Sequence, residues 1–498
     1  MTNDSTSVPR WLQMLLWGLP PITMLLVGLQ HGTLFTDDAY ITFRYAENLA
    51  AGHGLVFNPG EPVLGTSTPL FAFILAGLKT AGISVITAAH WLGLLSMTLV
   101  VVILQLLARR SVSPPVTAAL GMCVALHPDS AFVANSGMET AMSMALVFGG
   151  LLLALRGRWN LAGGVGAAAY LMRPDGLLIV IFVAGLMWFR DRSKVYQPLV
   201  VAGLVVAPWL AYATATYGSP LPHSIEAKQL IHPAMPSQIL IGLWWLLTKS
   251  LPLKIFFGLG SMGAALALFK RSELALVVLW MGAYSGGLIA SGIEPKFPWY
   301  VAPLSMGFVL MAAFGADQVA DWLRQRGTGH ARPWWKPQTL APAGLLLLAT
   351  LCITNSEWRG FRTGLPGNEP AYLEIGTLLQ KRCAPGDVVF VGEVGVLSYM
   401  LMEQTMIDSA GINSPQISRF IAEDLESLRA AGVAESGFDN HWAWVTRTIK
   451  EVEPDFIVTK YPWLAIGKVS ELDWFEEQYR RIEFENGALA EYYAFERR

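Results

Sequence analysis

Apolar runs of near-bilayer length, almost free of charge, constrain this chain more than any other feature. A helix needs about 20 apolar residues to cross the hydrocarbon core, and residues 11–29 form the first such run. No small-residue cleavage site follows it, so it reads as a retained span and not as a removed signal. Of 498 residues, 53% are hydrophobic and 14% charged, with a mean hydropathy of +0.43. Soluble domains carry about 25% charged residues. The deficit predicts a polytopic α-helical membrane protein. A net charge of −2 without a basic cluster argues against nucleic acid as a partner. Cys123, Cys352 and Cys383 lie far apart and form neither a metal-ligand spacing nor a disulfide framework.

Positive charge assigns the loops to sides. Arg109-Arg110, Arg156-Gly157-Arg158, Arg190 to Lys194, Lys270-Arg271 and residues 324–336 are short basic loops, and Arg10 precedes the first span. The positive-inside bias places them in the cytoplasm. The loops between them, 33–68, 127–137, 173–175, 217–236 and 294–300, then lie outside. Residues 69–83, with Lys79, and 239–253, with Lys249 and a proline, would break this alternation if they crossed. Both are expected as interfacial helices on the outer face. The result is about 11 spans in residues 1–355, an N-terminus in the cytoplasm and a C-terminal segment outside.

From residue 356 the charged residues return. Strands are predicted at 386–392, 405–408 and 455–459, with a final hairpin at 481–484 and 491–495. Helical spacing covers 417–430 and 441–452. Strands alternating with helices predict a small extracytoplasmic α/β domain over 356–498. Glu393 and Asp408 lie beside strand ends, where ligands often bind, or serve as ordinary polar edges.

Within the first outer loop, Asp37-Asp38 sits at the mouth of a span, a costly place for two carboxylates without a partner, water or a function. The pair opens a helix in which Ile41, Tyr45 and Leu49 make an apolar stripe, with Arg44 and Asn48 on another face. Gly52-His53-Gly54 ends it. A plainer reading makes the pair a helix cap, with Arg44 bonded to one carboxylate. The loop continues through the turn Asn58-Pro59-Gly60-Glu61 and through Gly65-Thr66-Ser67-Thr68-Pro69. Long, punctuated loops of this kind are usually functional.

The stretch from Asp37 to Phe71, DDAYITFRYAENLAAGHGLVFNPGEPVLGTSTPLF, resembles the first outer loop of GT-C superfamily glycosyltransferases. It is most similar to a bacterial branch that uses polyprenyl-phosphate sugars and includes the mycobacterial terminal arabinofuranosyltransferase. Weaker matches follow in order at Ser136 to Thr140, Arg173 to Gly176, Tyr217 to His223 with Ala227-Lys228, and Phe297 to Tyr300. His223 departs from an expected asparagine, and Leu64 from a frequent glutamate.

The resemblance implies an enzyme moving a sugar, arabinofuranose or a hexose, from a polyprenyl-phosphate donor. The acceptor is a hydroxyl on a glycan, lipid or protein outside the plasma membrane. Asp37 is implied as general base and Asp38 as the group that orients the acceptor or a cation. Arg44, Arg173, Lys228, His223 and Lys296 are candidate phosphate or substrate ligands, weighed against ion pairs and membrane anchoring. Glu139 and Asp175 are candidate partners of Arg173. Trp299 and Tyr300 are an interfacial belt or a sugar-stacking surface. The carboxylates could ligate a divalent cation (Ca, Mg or Mn), but none has diagnostic spacing, and no essential cofactor is expected. The rival from another class is a lipid or glycan transporter or flippase. Charge collected on one side, and not at the midplane, argues against it.

Overall fold

The computed structural model describes residues 10–231, 233–326, 337–354, 367–430, 442–484 and 486–498. By their contacts, the described residues form two compact units that interleave in sequence. One, the helical unit, draws on Met1–Leu34, Ala89–Ala207 and Ala234–Gly364. The other, the mixed unit, draws on Phe35–Ala88, Pro208–Pro233 and Leu365–Arg498. The boundary predicted at 355/356, most of the basic loop 324–336, and His441 lie outside the described residues.

Five helices among the described residues are long and apolar enough to cross a membrane: Met14–His31, Val85–Ala108, Arg192–Tyr217, Leu251–Phe269 and Pro298–Arg326. A sixth candidate is the pair Pro114–Ala125 and Pro128–Asn135, bent by 55°. Shorter apolar helices follow at Pro69–Thr80, Thr140–Leu155, Ala275–Ser291 and Thr339–Ile353. The stretch 239–253, expected as one interfacial helix, is divided. Pro236–Thr248 ends before an extended Ser250, and Leu251 starts the next helix.

In the helical unit, Leu251–Phe269 packs along Pro298–Arg326. A Cβ on Gly263 would stand 1.9 Å from the Met311 carbonyl oxygen, so the two backbones meet where no side chain fits. Small residues provide such approach between membrane helices, whose association rests on packing. Large apolar side chains such as Phe189 and Phe269 remain 87% and 86% exposed. That is the surface expected of helices solvated by lipid tails.

The mixed unit carries a five-stranded sheet in the order β2-β1-β3-β5-β4. Its strands are β1 (Val388–Val391), β2 (Thr405–Asp408), β3 (Phe456–Lys460), β4 (Tyr479–Ile482) and β5 (Tyr492–Arg497). All five fall where the sequence predicted strands, to within a few residues. β1 pairs in parallel with β2 and β3, while β5 runs antiparallel between β3 and β4. The core on one side joins Phe390, Ile457 and Phe495 to Ile417, Phe420 and Ile421 of the helix Pro415–Ala430 and to Trp444 and Ile449 of Ala443–Val452.

Two segments from earlier in the chain complete this unit. The helix Asp37–Ala50 starts after an extended Thr36 and stops before Gly52, whose φ of +88° an L side chain rarely adopts. Its buried face is Tyr40, Phe43, Arg44, Tyr45 and Asn48. The sequence placed Arg44 and Asn48 on a face other than the apolar stripe. Both are buried there, and their side chains bond backbone carbonyls. The Asn58 side chain lies against the edge strand β2, donating to the Met406 carbonyl (3.0 Å) and accepting from the Met406 N–H (3.1 Å). An otherwise open sheet edge is thereby partly covered.

Candidate active site

Asp37 and Asp38 form the first turn of their helix, both half-buried. The Asp37 carboxylate accepts from the backbone N–H groups of Gly395 (2.9 Å) and Val396 (2.8 Å), the opening of the short helix Gly395–Met400. The Asp37 N–H in turn donates to Glu369 Oε1 (3.0 Å), at the start of the helix Glu369–Leu379. Helix N-termini leave N–H groups without partners and favour negative charge, so each carboxylate caps its neighbour's helix. Gly395 is required there, since a Cβ would stand 1.8 Å from the Asp37 carbonyl oxygen.

Glu393 completes the acidic group. It follows β1 at the C-terminal edge of the parallel strands. Both its oxygens accept from the Asn368 amide at 3.1 Å. Asn368 Oδ1 accepts from Lys460 Nζ (3.1 Å) and from the Tyr492 hydroxyl (2.9 Å). Burial above all, then the charges of Glu393 and Asp38, hold the Asp37 pKa well above its usual value, against its two amide donors. Burial, with Glu369 and Asp38, pushes Glu393 up to about 7. Burial also raises Glu369. Asp38 has no hydrogen-bond or ion-pair partner among the described residues. No group of three or more His, Cys, Asp or Glu among them could hold a metal ion.

Arg44 does not fit the expected role of phosphate ligand. It is fully buried and spends all five N–H donors on protein. Nε donates to the Phe57 carbonyl (2.7 Å). One terminal nitrogen donates to the Ser398 and Leu401 carbonyls, and the other to Gln404 O (2.8 Å) and Asn58 Oδ1 (3.2 Å). Nor does it pair with Asp38 or Glu47. Glu47 pairs with Lys79 at 2.9 Å. Arg44 therefore binds the carbonyl end of the same short helix that Asp37 caps.

His223 donates its N–H to the Leu64 carbonyl (2.8 Å), and its ring lies 3.1 Å from Ser418 Oγ. Lys228 is half-buried on the same helix, His223–Ile231. Asp408 is an internal brace. Its carboxylate accepts from the N–H groups of Ala410 and Asn413.

Other expected residues meet within the helical unit. Arg173, at the end of Trp159–Met172, donates to Asp175 Oδ1 (3.3 Å), Glu139 Oε1 (3.4 Å) and Thr140 Oγ1 (3.3 Å). Its guanidinium stands over the Tyr300 ring at 5.9 Å. Lys296 is exposed and pairs with Glu294 (3.2 Å). Trp299 is only 5% exposed and stacks on Phe297 at 4.3 Å, so its ring offers no open face to a sugar.

Sequence reasoning missed Glu369, Asn368, Lys460 and Tyr492. Asn368-Glu369-Pro370 does carry a helix-start signal, but nothing in it tells that Glu369 meets Asp37.

A model of a domain of unknown function (DUF8728) matches residues 359–496. The terminal β-(1→2)-arabinofuranosyltransferase of Mycobacterium tuberculosis is 25% identical over 352 residues, 62% of this chain and 52% of that protein. The chain thus spans about half the length of this curated relative. Among solved structures, ArnT from Cupriavidus metallidurans bound to undecaprenyl phosphate superposes with a TM-score of 0.60 at 14% identity, covering 98% of both chains. The archaeal oligosaccharyltransferase AglB from Archaeoglobus fulgidus, in complex with an inhibitory peptide and a dolichol-phosphate, gives 0.61 at 11% identity. That match covers 95% of this chain and 73% of AglB. The fold of this chain is that of the GT-C glycosyltransferases.

Proposed function

We propose that this membrane protein transfers a sugar from a polyprenyl-phosphate donor to a hydroxyl acceptor at the Asp37–Asp38 turn. One observation carries the reading beyond the fold. The Asp37 carboxylate is aimed by two backbone amides, while burial and the Glu393 charge raise its basicity. Transfer forms a C–O bond at the anomeric carbon and breaks the bond to phosphate, and a base must take the acceptor's proton. Asp37 is that base, and Asp38 aligns the acceptor hydroxyl.

The two solved neighbours were captured with polyprenyl phosphates, which supports that donor class. The curated relative's name supports arabinofuranose as the sugar. The departing phosphate calls for cationic partners. Arg173, Lys228 and Lys296 are the candidates, while Arg44 is fully committed elsewhere. Asp175 and Glu139 hold Arg173. The alternation of basic loops supports about eleven crossings, an N-terminus in the cytoplasm and acidic turns on the outer face. The C-terminal α/β segment would then meet the acceptor outside. The rival reading as a transporter gains nothing from these likenesses.

A second reading exchanges the two aspartates. Both oxygens of Asp37 already accept N–H groups, whereas Asp38 lacks a partner among the described residues. The test uses purified protein in nanodiscs, supplied with polyprenyl-phosphate-linked arabinofuranose or hexoses and with cell-envelope glycans. It should release polyprenyl phosphate and extend a glycan. Absence of transfer from every such donor would remove the assignment.

A further inference from the structure

A cavity of about 400 Å³ opens within the mixed unit, lined by Leu64, Tyr217, Pro222, His223, Glu226 and Pro415 among others. Its volume lies in the range of small-ligand pockets. Its walls are unlike those of a lipid groove. The pyrrolidine rings of Pro222 and Pro415, the Leu64 side chain and the Tyr217 ring give apolar faces. The Tyr217 hydroxyl donates to the Leu55 carbonyl (2.7 Å), which fixes that ring.

The polar end is more informative. Ser418 Oγ is buried and donates its single proton to the Gly411 carbonyl (3.1 Å). It can then only accept from His223 Nε2, at 3.1 Å. A neutral His223 therefore carries its hydrogen on Nε2 and presents a bare lone pair at Nδ1. Nδ1 lies 3.5 Å from Glu226 Oε2, and the Glu226 side chain is 74% exposed. Two acceptors stand side by side at the cavity, too close to admit an atom between them, and call for a ligand with two adjacent donors. Two vicinal hydroxyls supply one hydrogen each, and apolar rings beside paired acceptors suit the C–H faces and hydroxyls of a sugar.

We infer that this cavity binds a sugar ring of the acceptor glycan, with two vicinal hydroxyls donating one hydrogen each, one to Glu226 and the other to His223 Nδ1. The inference rests on the proposed transferase activity for the word acceptor, but the binding itself does not. Leu64 and His223 both line it.

The test is saturation-transfer NMR on the full-length protein in nanodiscs, with linear arabinofuranosyl and mannosyl trisaccharides as probes. At least one should bind the native protein. Glu226→Ala should raise its Kd at least about tenfold, the cost of losing a charged hydrogen bond. His223→Ala should do the same. Glu226 is exposed, so its variant stays folded even if the histidine variant does not. In turnover, Glu226→Ala should raise the acceptor KM by a similar factor while the donor KM holds. Binding of neither probe, equal binding by Glu226→Ala, or a change in donor KM alone overturns the inference. Probe binding without any sugar transfer would instead sink the transferase reading and leave the cavity as a sugar site.

Discussion

At the scale of residues, Arg44 shows how burial decides between roles. A phosphate ligand needs free donors facing solvent or substrate, and Arg44 has none. Its five donors satisfy four carbonyls and one amide oxygen in a fully buried space. Replacing it by methionine strands those acceptors, each costing about 1–3 kcal/mol when left buried and unpaired. Arg44→Met is expected to destabilise by about 3 kcal/mol or more, read as a lowered melting temperature. Any protein that still folds should keep its donor KM. A raised donor KM without destabilisation would restore the phosphate role. This part of the site was not legible in the sequence. Four of the acceptors are main-chain carbonyls, which have no residue signature, and three of those lie more than 350 residues downstream of Arg44.

Glu393 gives a residue-scale prediction about pH. Its pKa is raised from 4.5 to about 7, chiefly by burial. A group that binds its proton more tightly when folded contributes stability that is fully present below the unfolded value. That contribution fades as pH rises through the folded one. Stability should therefore fall from about pH 4.5 to above pH 7 by roughly 1–2 kcal/mol, a figure discounted for the solvent that Glu393 still meets. Asp37, raised in the same direction, adds to the trend. Glu393→Gln should flatten the curve of melting temperature against pH, and an unchanged slope would show that this carboxyl is not the source.

At the scale of elements, the short helix Gly395–Met400 is held at both ends by one longer helix. Asp37 meets its N–H end and Arg44 its carbonyl end. Seven residues of α-helix rise about 10.5 Å, close to the length of a six-residue helix, about 9 Å. The charges match the dipole of the short helix in sign at each end. A helix this short has little stability of its own, so it depends on that clamp. Gly395→Ala forces a Cβ into the Asp37 carbonyl oxygen. It should cost about 1–3 kcal/mol by overpacking, and it should lower transfer more than Gly487→Ala, a change at a glycine with ordinary φ and no atom near its missing Cβ. Equal effects would argue that Asp37 is not positioned through this contact.

The elements also show which patterns a sequence carries well. β1, β2 and β3 were legible because buried parallel strands are short apolar runs bounded by turn residues. Gly52 was legible as a helix end because a positive φ favours glycine. The faces of the Asp37–Ala50 helix were not, because Arg44 and Asn48 look like surface residues until their carbonyl partners are known. Span counting met a similar limit. Helices such as Thr140–Leu155 fall short of the usual crossing length, and charge alternation alone had to decide them.

At the scale of the whole molecule, the chain forms a helical unit with exposed apolar side chains and a mixed unit that holds the acidic turn and the sheet. Each unit gathers its own set of candidate residues. Arg173, Glu139 and Asp175 meet in the first, and Asp37, Asp38, Glu369 and Glu393 in the second. Removing Arg173 tests its share in the chemistry. Arg173→Ala should lower transfer by a factor of about ten or more if the guanidinium meets the donor phosphate, since charged hydrogen bonds contribute about 1.5–3 kcal/mol. It should also leave Glu139 buried without its cation, so melting and transfer must be measured together. Loss of stability with transfer intact would make Arg173 a structural pair only.

In the proposed reaction, a carboxylate at the Asp37–Asp38 turn accepts the proton of the acceptor hydroxyl. The measurement is the rate of transfer from polyprenyl-phosphate-linked sugar by native protein, Asp37→Asn and Asp38→Asn, each checked for fold by its melting temperature. Loss of a general base is expected to slow the reaction about 10²–10⁴-fold. Asp37→Asn should show that loss and Asp38→Asn a smaller one, while the reverse order would exchange their roles. Native rates in both variants would show that neither carboxylate takes that proton.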